Sequence, residues 1–227
     1  MYTLMVADDH PLFREAIAAV IEAGLPDSRL LEAESLDQAL HCAAACAELD
    51  LVLLDLGLPD ASGLEGLRAL RAAHPWLPVA ILSADQERRT ILAALDLGAV
   101  GYIPKSTPRG DLLAALAQLL EGQVYLPPEI MRRPAVPHCP SDRAGMPSPA
   151  PRFAELTDKQ LEVLLRLSRG ASNKVIAREL DIAETTVKTH VSAILRKLGV
   201  PGRVQAILAA GEADLAALLA ERQGPSR

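Results

Sequence analysis

The chain of 227 residues has few aromatic residues: two Phe, one Trp and three Tyr, 3% of the total. So few rings exclude a platform that stacks successive bases of single-stranded nucleic acid, and they exclude the aromatic belts of a membrane-spanning protein. Cysteine is scarce as well. Three, an odd number, give no disulfide framework and point to a reducing cytoplasm. Cys42 and Cys46 stand four residues apart beside His41, but no fourth ligand is near. Apolar filling of an Ala-rich helix accounts for them better than a metal does. Cys139 lies in a Pro-rich stretch without a partner. There is no uncharged apolar run of about 18 residues and no basic-then-apolar leader, so neither a membrane span nor secretion is expected.

Apolar residues are plentiful at 50%, enough for a sizeable core, and the length suits two domains. The formal charge of −6 argues at first against a nucleic-acid partner, but it is unevenly spread. Residues 1–130 carry 8 Lys/Arg against 19 Asp/Glu, while residues 156–203 carry 9 against 5. The acidity therefore belongs to the front, and a patch able to meet phosphates remains at the rear.

Five short apolar runs alternate with helical patterns over the first 120 or so residues. Strands are expected at 3–7, 29–33, 51–54, 79–82 and 100–103, and helices at 11–23, 36–49, 63–73, 88–97 and 108–121. Five βα units read as a parallel sheet covered on both faces. From Pro127 to Pro151, 8 of 25 residues are proline, which suits an extended linker and no packed element. From Leu156 onward the pattern is again helical, and no internal repeat is present. The expected division is residues 1–123, a linker at 124–152 and a second domain at 153–222.

In a parallel sheet, ligands bind at the carboxyl ends of the strands. Asp8 and Asp9 follow the first strand and Asp55 follows the third. In a 2-1-3-4-5 strand order these two strands are neighbours. Three converging carboxylates repel unless a cation joins them, and hard oxygen ligands favour Mg²⁺. Ser83 follows the fourth strand and Lys105 the fifth. A hydroxyl, an ammonium and a cation around one carboxylate can hold the oxygens of a phosphoryl group while Asp55 takes it as an acyl phosphate.

The runs DDHP, DLGLP, LSA and GYIPK resemble the receiver domain of bacterial response regulators, a flavodoxin-like fold, over about residues 1–122. The resemblance implies that Asp55 accepts phosphate from a histidine kinase and that Asp8, Asp9, Asp55 and the Gly57 carbonyl bind Mg²⁺. It also implies that Lys105 contacts the phosphoryl group, and that Ser83 and Tyr102 move together as a switch, Tyr102 rotating inward. The family pattern further suggests a cis bond at Pro104.

At the rear, Thr157 and Gln160 form a capping box, a leucine stripe follows, and Gly170 stops the helix. Further helices are expected at about 173–180 and 185–198, joined by the short turn DIAE. Two helices joined by a tight turn make a helix-turn-helix, whose second member enters the major groove. At about 100° per residue from Lys188, Val187, Val191, Ile194 and Leu198 share one stripe. Lys188, Thr189, Ser192, Thr185 and Arg196 share a polar face free of acid.

The run GASNKVIARELDIAETTVKTHVSAILRKLGV resembles the four-helix DNA-binding domain of the LuxR/NarL type, over about residues 156–210. That implies base reading by Lys188, Thr189 and Ser192, and phosphate contacts from Thr157, Asn173, Lys174 and Thr186. A fourth helix at about 203–210 would supply the dimer contact through Arg203, Val204 and Ile207. The expectation is a cytoplasmic, non-enzymatic transcriptional regulator, phosphorylated by a sensor histidine kinase and binding duplex DNA as a homodimer. Its acidic receiver would obstruct the third rear helix until phosphorylation. The alternatives are a regulator that ignores phosphorylation, an enzyme with a phospho-aspartyl intermediate, or a protein-interaction adaptor.

Overall fold

The computed structural model describes residues 1–127 and 153–211, with Leu215 and Leu219. Residues 128–152, which include most of the expected linker and Cys139, lie outside the described residues, as does most of the expected domain beyond Gly211.

Five strands, β1 (Thr3–Ala7), β2 (Arg29–Ala33), β3 (Leu51–Asp55), β4 (Val79–Ser83) and β5 (Gly101–Pro104), form one parallel sheet in the order β2-β1-β3-β4-β5. β1, β3 and β4 are buried along their whole length, which is why they read as unbroken apolar runs. The edge strand β2 keeps Arg29 and Glu32 exposed. Helices α1 (Pro11–Gly24), α2 (Leu36–Ala45), α3 (Glu65–Ala73), α4 (Arg88–Asp96) and α5 (Arg109–Leu120) cover two apolar clusters, one on each face. Ala7 pairs with Leu54, so Asp8 and Asp55 leave neighbouring strands side by side.

Three expected features differ. α2 ends at Ala45, four residues before Leu49, because Leu49 is fully buried and the Asp50 amide already donates to the Thr3 carbonyl to start β3. α3 begins at Glu65, because Gly63 sits in the left-handed region at φ +53° and the Glu65 carboxylate accepts from the Ser62 amide. No cis peptide bond occurs among the described residues, so the bond expected at Pro104 is trans. The start of the expected linker also lies along the sheet: the Tyr102 amide donates to the Tyr125 carbonyl at the edge of β5.

The rear residues form α6 (Asp158–Ser168), α7 (Asn173–Leu180), α8 (Glu184–Leu198) and α9 (Arg203–Gly211) around a third apolar cluster. The capping box is present: Thr157 Oγ1 accepts from the Gln160 amide and Gln160 Oε1 from the Thr157 amide. α7 is capped by Asp181, and α8 by Gly199, both in the left-handed region.

The two halves meet backbone to backbone. A Cβ placed on Gly202 would stand 2.7 Å from Gly98 Cα, and one on Gly122 would stand 2.7 Å from the Gly170 carbonyl oxygen. Arg71 on α3 donates through Nε and Nη2 to the Pro201 carbonyl, and Gln205 on α9 donates to the Leu95 carbonyl. Trp76 packs against both one apolar cluster of the sheet and the rear cluster.

Candidate functional site

The strand ends bring Asp8, Asp9, Asp55, Ser83 and Lys105 together as expected. Asp8 is fully buried and Asp55 nearly so. Lys105 Nζ lies 2.7 Å from Asp8 Oδ2 and 2.8 Å from Asp55 Oδ2, and 4.8 Å from the centre of the Phe13 ring. Burial works against the ammonium, but the hydrogen bonds and charges of Asp55 and Asp8 outweigh it and raise the Lys105 pKa. Gly57 keeps the backbone close, since a Cβ there would lie 3.2 Å from Asp55 Oδ2.

Ser83 is buried, and its Oγ accepts from the Asp85 amide at 3.1 Å. Tyr102 is fully buried, with its hydroxyl donating to the Asp85 carbonyl at 2.7 Å. Burial raises its pKa, the Ser83 hydrogen bond opposes this, and the charges of Asp85 and Asp55 add to it. Tyr102 is thus already inward here, whereas the resemblance ties that position to phosphorylation.

One donor atom from each of Asp8, Asp9, His10 and Asp55 falls within 4.8 Å of the others. Three carboxylates face the single ammonium of Lys105, and a surplus of oxygen charge fits a divalent cation such as Mg²⁺.

Sequence reasoning missed one residue that builds this pocket and one that fixes the loop after β3. Arg14 is buried on α1, three residues before Ile17, and its Nη1 donates to the Asp8 carbonyl at 2.7 Å while Nε meets Glu32. A cation within an apolar stripe was the signal that could have found it. Asp60 accepts from the Leu36 and Asp37 amides at 2.7 and 2.9 Å, which holds its carboxyl below the usual range and ties the loop after β3 to α2.

On α8, Val187, Val191, Ile194 and Leu198 are buried as the helical arithmetic requires. Thr185, Thr186 and Thr189 are exposed and Ser192 is half-buried. Lys188 departs from expectation. In place of a solvent-facing groove surface, it is 5% exposed and covered by the front half of the chain. Its Nζ donates to the Ala47 and Leu49 carbonyls, pairs with Glu184 at 3.1 Å, and stands 4.6 Å above the Trp76 ring. Thr189, Ser192 and Arg196 open on a cleft of about 780 Å³ whose other wall includes Arg68 and Arg71 of α3.

Lys174 is similarly engaged, 2.7 Å from Asp50 Oδ2 and 4.4 Å from the Tyr2 ring centre. Asn173 is buried, and the Thr157 hydroxyl serves the cap of α6. The expected dimer residues are also turned inward. Arg203 is buried and donates to the Ala171 carbonyl, Val204 packs on an apolar cluster of the sheet, and Ile207 is half-buried. Burial pulls both Arg71 and Arg203 down to about 10, and the charge of Arg203 adds to the shift at Arg71.

No described helix is long and apolar enough to cross a membrane. Residues 4–117 match the response regulator receiver domain family and residues 154–210 the luxR family of bacterial regulatory proteins. The glycerol metabolism activator of Pseudomonas putida is 52% identical over 222 residues, covering 96% of this chain and 99% of that protein. The nitrate/nitrite response regulator NarL of Escherichia coli K12 is 34% identical over 205 residues, covering 90% of this chain and 92% of that protein. Among solved structures, a LuxR family DNA-binding response regulator from Silicibacter pomeroyi is 33% identical with a TM-score of 0.51, covering 57% of this chain and 99% of that one.

Proposed function

The chain belongs to the response regulators that join a receiver domain to a LuxR-type helix-turn-helix domain, and we propose that phosphorylation of Asp55 by a histidine kinase releases its DNA-reading helix. A carboxylate oxygen of Asp55 attacks phosphorus, the bond from phosphorus to the kinase imidazole nitrogen breaks, and that nitrogen keeps the electron pair. Lys105 moves from pairing two carboxylates to meeting a phosphoryl oxygen. Asp8, Asp9, Asp55 and the Gly57 carbonyl would hold a divalent cation, which would offset the charge of the transferred group. Ser83 Oγ, near the end of β4, is placed to exchange the Asp85 amide for a phosphoryl oxygen and so to loosen the loop that holds Tyr102.

The observation that carries the reading is the burial of Lys188 beneath residues 47–49 and Trp76. A lysine held there cannot reach a base edge, so the closed arrangement and DNA binding exclude each other. Opening uncovers Lys188 and Lys174, so that Lys188, Thr189 and Ser192 would meet bases and Thr157, Asn173, Lys174, Thr185 and Thr186 the backbone. It also uncovers Val204, which with Arg203 and Ile207 would pair two copies on adjacent half-sites. Because the P. putida relative is a glycerol metabolism activator, genes for glycerol use are the first targets to examine.

The test couples both ends of the molecule. With acetyl phosphate and Mg²⁺, the wild type gains the mass of one phosphoryl group and binds duplex DNA more tightly, while Asp55→Asn shows neither change. Equal labelling of the two proteins, or labelling without a change in DNA affinity, overturns the proposal.

A further inference from the structure

The pocket around Asp55 includes a side chain that the phosphoacceptor reading does not use. His10 follows Asp9 directly and precedes α1, and its side chain is 66% exposed. Its Nδ1 lies 2.7 Å from Asp9 Oδ1 and 3.2 Å from Asp8 Oδ1. We propose that His10 is a nitrogen ligand of the cation site, which makes the site selective for first-row transition ions such as Mn²⁺ and Co²⁺ over Mg²⁺. This rests on the reading of the pocket as a cation site and goes beyond it in the donor set and the class of metal.

The first support is geometric. Two ligands bound at right angles to one small dication, each about 2.1 Å from it, lie about 3 Å apart. The two separations from His10 Nδ1 bracket that value. Ligands on opposite sides lie about 4.2 Å apart, so a set already within 4.8 Å closes on one ion with a small inward shift.

The second support is an unsatisfied atom. Asp9 Oδ1 is shielded from solvent and has no hydrogen-bond partner of acceptable geometry, although His10 Nδ1 approaches it closely. A shared ion satisfies both atoms without the alignment that a hydrogen bond demands. Lys105 does not compete for this side of the pocket, because it contacts Asp8 and Asp55 through their Oδ2 atoms while His10 faces Asp8 Oδ1.

The third support is ligand chemistry. Mg²⁺ is served by oxygen and water and gains little from imidazole. Mn²⁺ and Co²⁺ accept nitrogen and bind a mixed site with affinity rising along the transition series. Three carboxylates alone discriminate poorly, and the added imidazole supplies the discrimination.

Metal binding to the full-length chain tests this directly, with Mg²⁺ and Co²⁺ followed by calorimetry and Mn²⁺ by electron paramagnetic resonance. The wild type binds Mn²⁺ about tenfold or more tightly than Mg²⁺, and bound Mn²⁺ shows nitrogen coupling from an imidazole. His10→Ala and His10→Gln, both at an exposed position, lose the nitrogen coupling and weaken Mn²⁺ and Co²⁺ by about tenfold while leaving Mg²⁺ within about twofold. Mn²⁺ bound to the wild type without nitrogen coupling, or equal losses for all three metals in both variants, overturns the role of His10. If neither Mg²⁺ nor Mn²⁺ binds the wild type at all, the cation reading of the pocket falls with it.

Discussion

At the scale of single residues, the proposed function gives Lys188 two roles that pull in opposite directions. Bound to the Ala47 and Leu49 carbonyls it joins the two halves, and once free it would face the groove. Lys188→Ala therefore removes a closing contact and a base contact together. A hydrogen bond to a charged group is worth about 1.5–3 kcal/mol, and a good base contact about 1–3 kcal/mol. The variant should bind DNA roughly tenfold or more weakly than phosphorylated wild type, and phosphorylation should change that affinity less than it does in the wild type. Shift assays with and without acetyl phosphate measure both quantities, and unchanged affinity with unchanged regulation would remove both roles.

The pocket was legible in sequence residue by residue because its members sit at strand ends, and a parallel sheet brings strand ends together whatever the intervening helices do. Ser83 and Lys105 follow from that rule as surely as Asp55. The burial of Lys188 was not legible. Helical arithmetic fixes the face on which a side chain stands, and it placed Lys188 about a quarter turn from the centre of the Val187 stripe. What covers that face comes from residues 47–49 and 76, more than a hundred positions away, and no local period encodes such a contact. Arg14 lies between these cases, since a cation inside an apolar helical stripe is visible in the sequence but its partner is not.

At the scale of elements, the turn from α8 into α9 decides how tightly the halves fit. Gly202 abuts the backbone of Gly98, with a hypothetical Cβ 2.7 Å from Gly98 Cα and 2.9 Å from its oxygen, and backbone cannot swing aside as a long side chain can. Gly202 is not among the glycines with positive φ, so alanine is free of backbone strain there. Gly202→Ala should consequently leave each half folded and push them apart. Unphosphorylated Gly202→Ala is expected to bind DNA nearly as well as phosphorylated wild type, with little change in thermal stability. Wild-type affinity before phosphorylation would show that the glycine contact does not hold the closed form. Gly98→Ala is a poorer test, because φ +93° at Gly98 strains any substitution in either state. The strand and helix order around this contact could be read from hydrophobic period alone. The end of α2 could not, because burial of Leu49 and the pairing of Asp50 with Thr3 override an Ala-rich helical pattern.

At the scale of the whole molecule, an acidic front and a basic rear suggest that net charge holds the halves together, yet the contacts tell otherwise. Among the described residues only Lys174 and Asp50 form an ion pair across the interface. Arg71, Lys188 and Gln205 donate instead to backbone carbonyls, and Trp76 joins both apolar clusters. Contacts of this kind are short-ranged and largely insensitive to salt, whereas duplex binding weakens steeply as counterions accumulate. Closure and DNA binding should therefore separate when ionic strength is varied. Trp76 is the single tryptophan, it is half-buried, and Lys188 lies over its ring, so its emission reports closure without an added label. Treatment with acetyl phosphate and Mg²⁺ should shift that emission to longer wavelength in the wild type and leave Asp55→Asn unchanged. Raising salt from about 0.1 M to 1 M, which shortens the screening length from about 10 Å to 3 Å, should leave the unphosphorylated emission nearly constant while DNA affinity falls by orders of magnitude. A salt-induced red shift equal to the phosphorylation-induced one would show instead that the closed form depends on long-range attraction between the two halves.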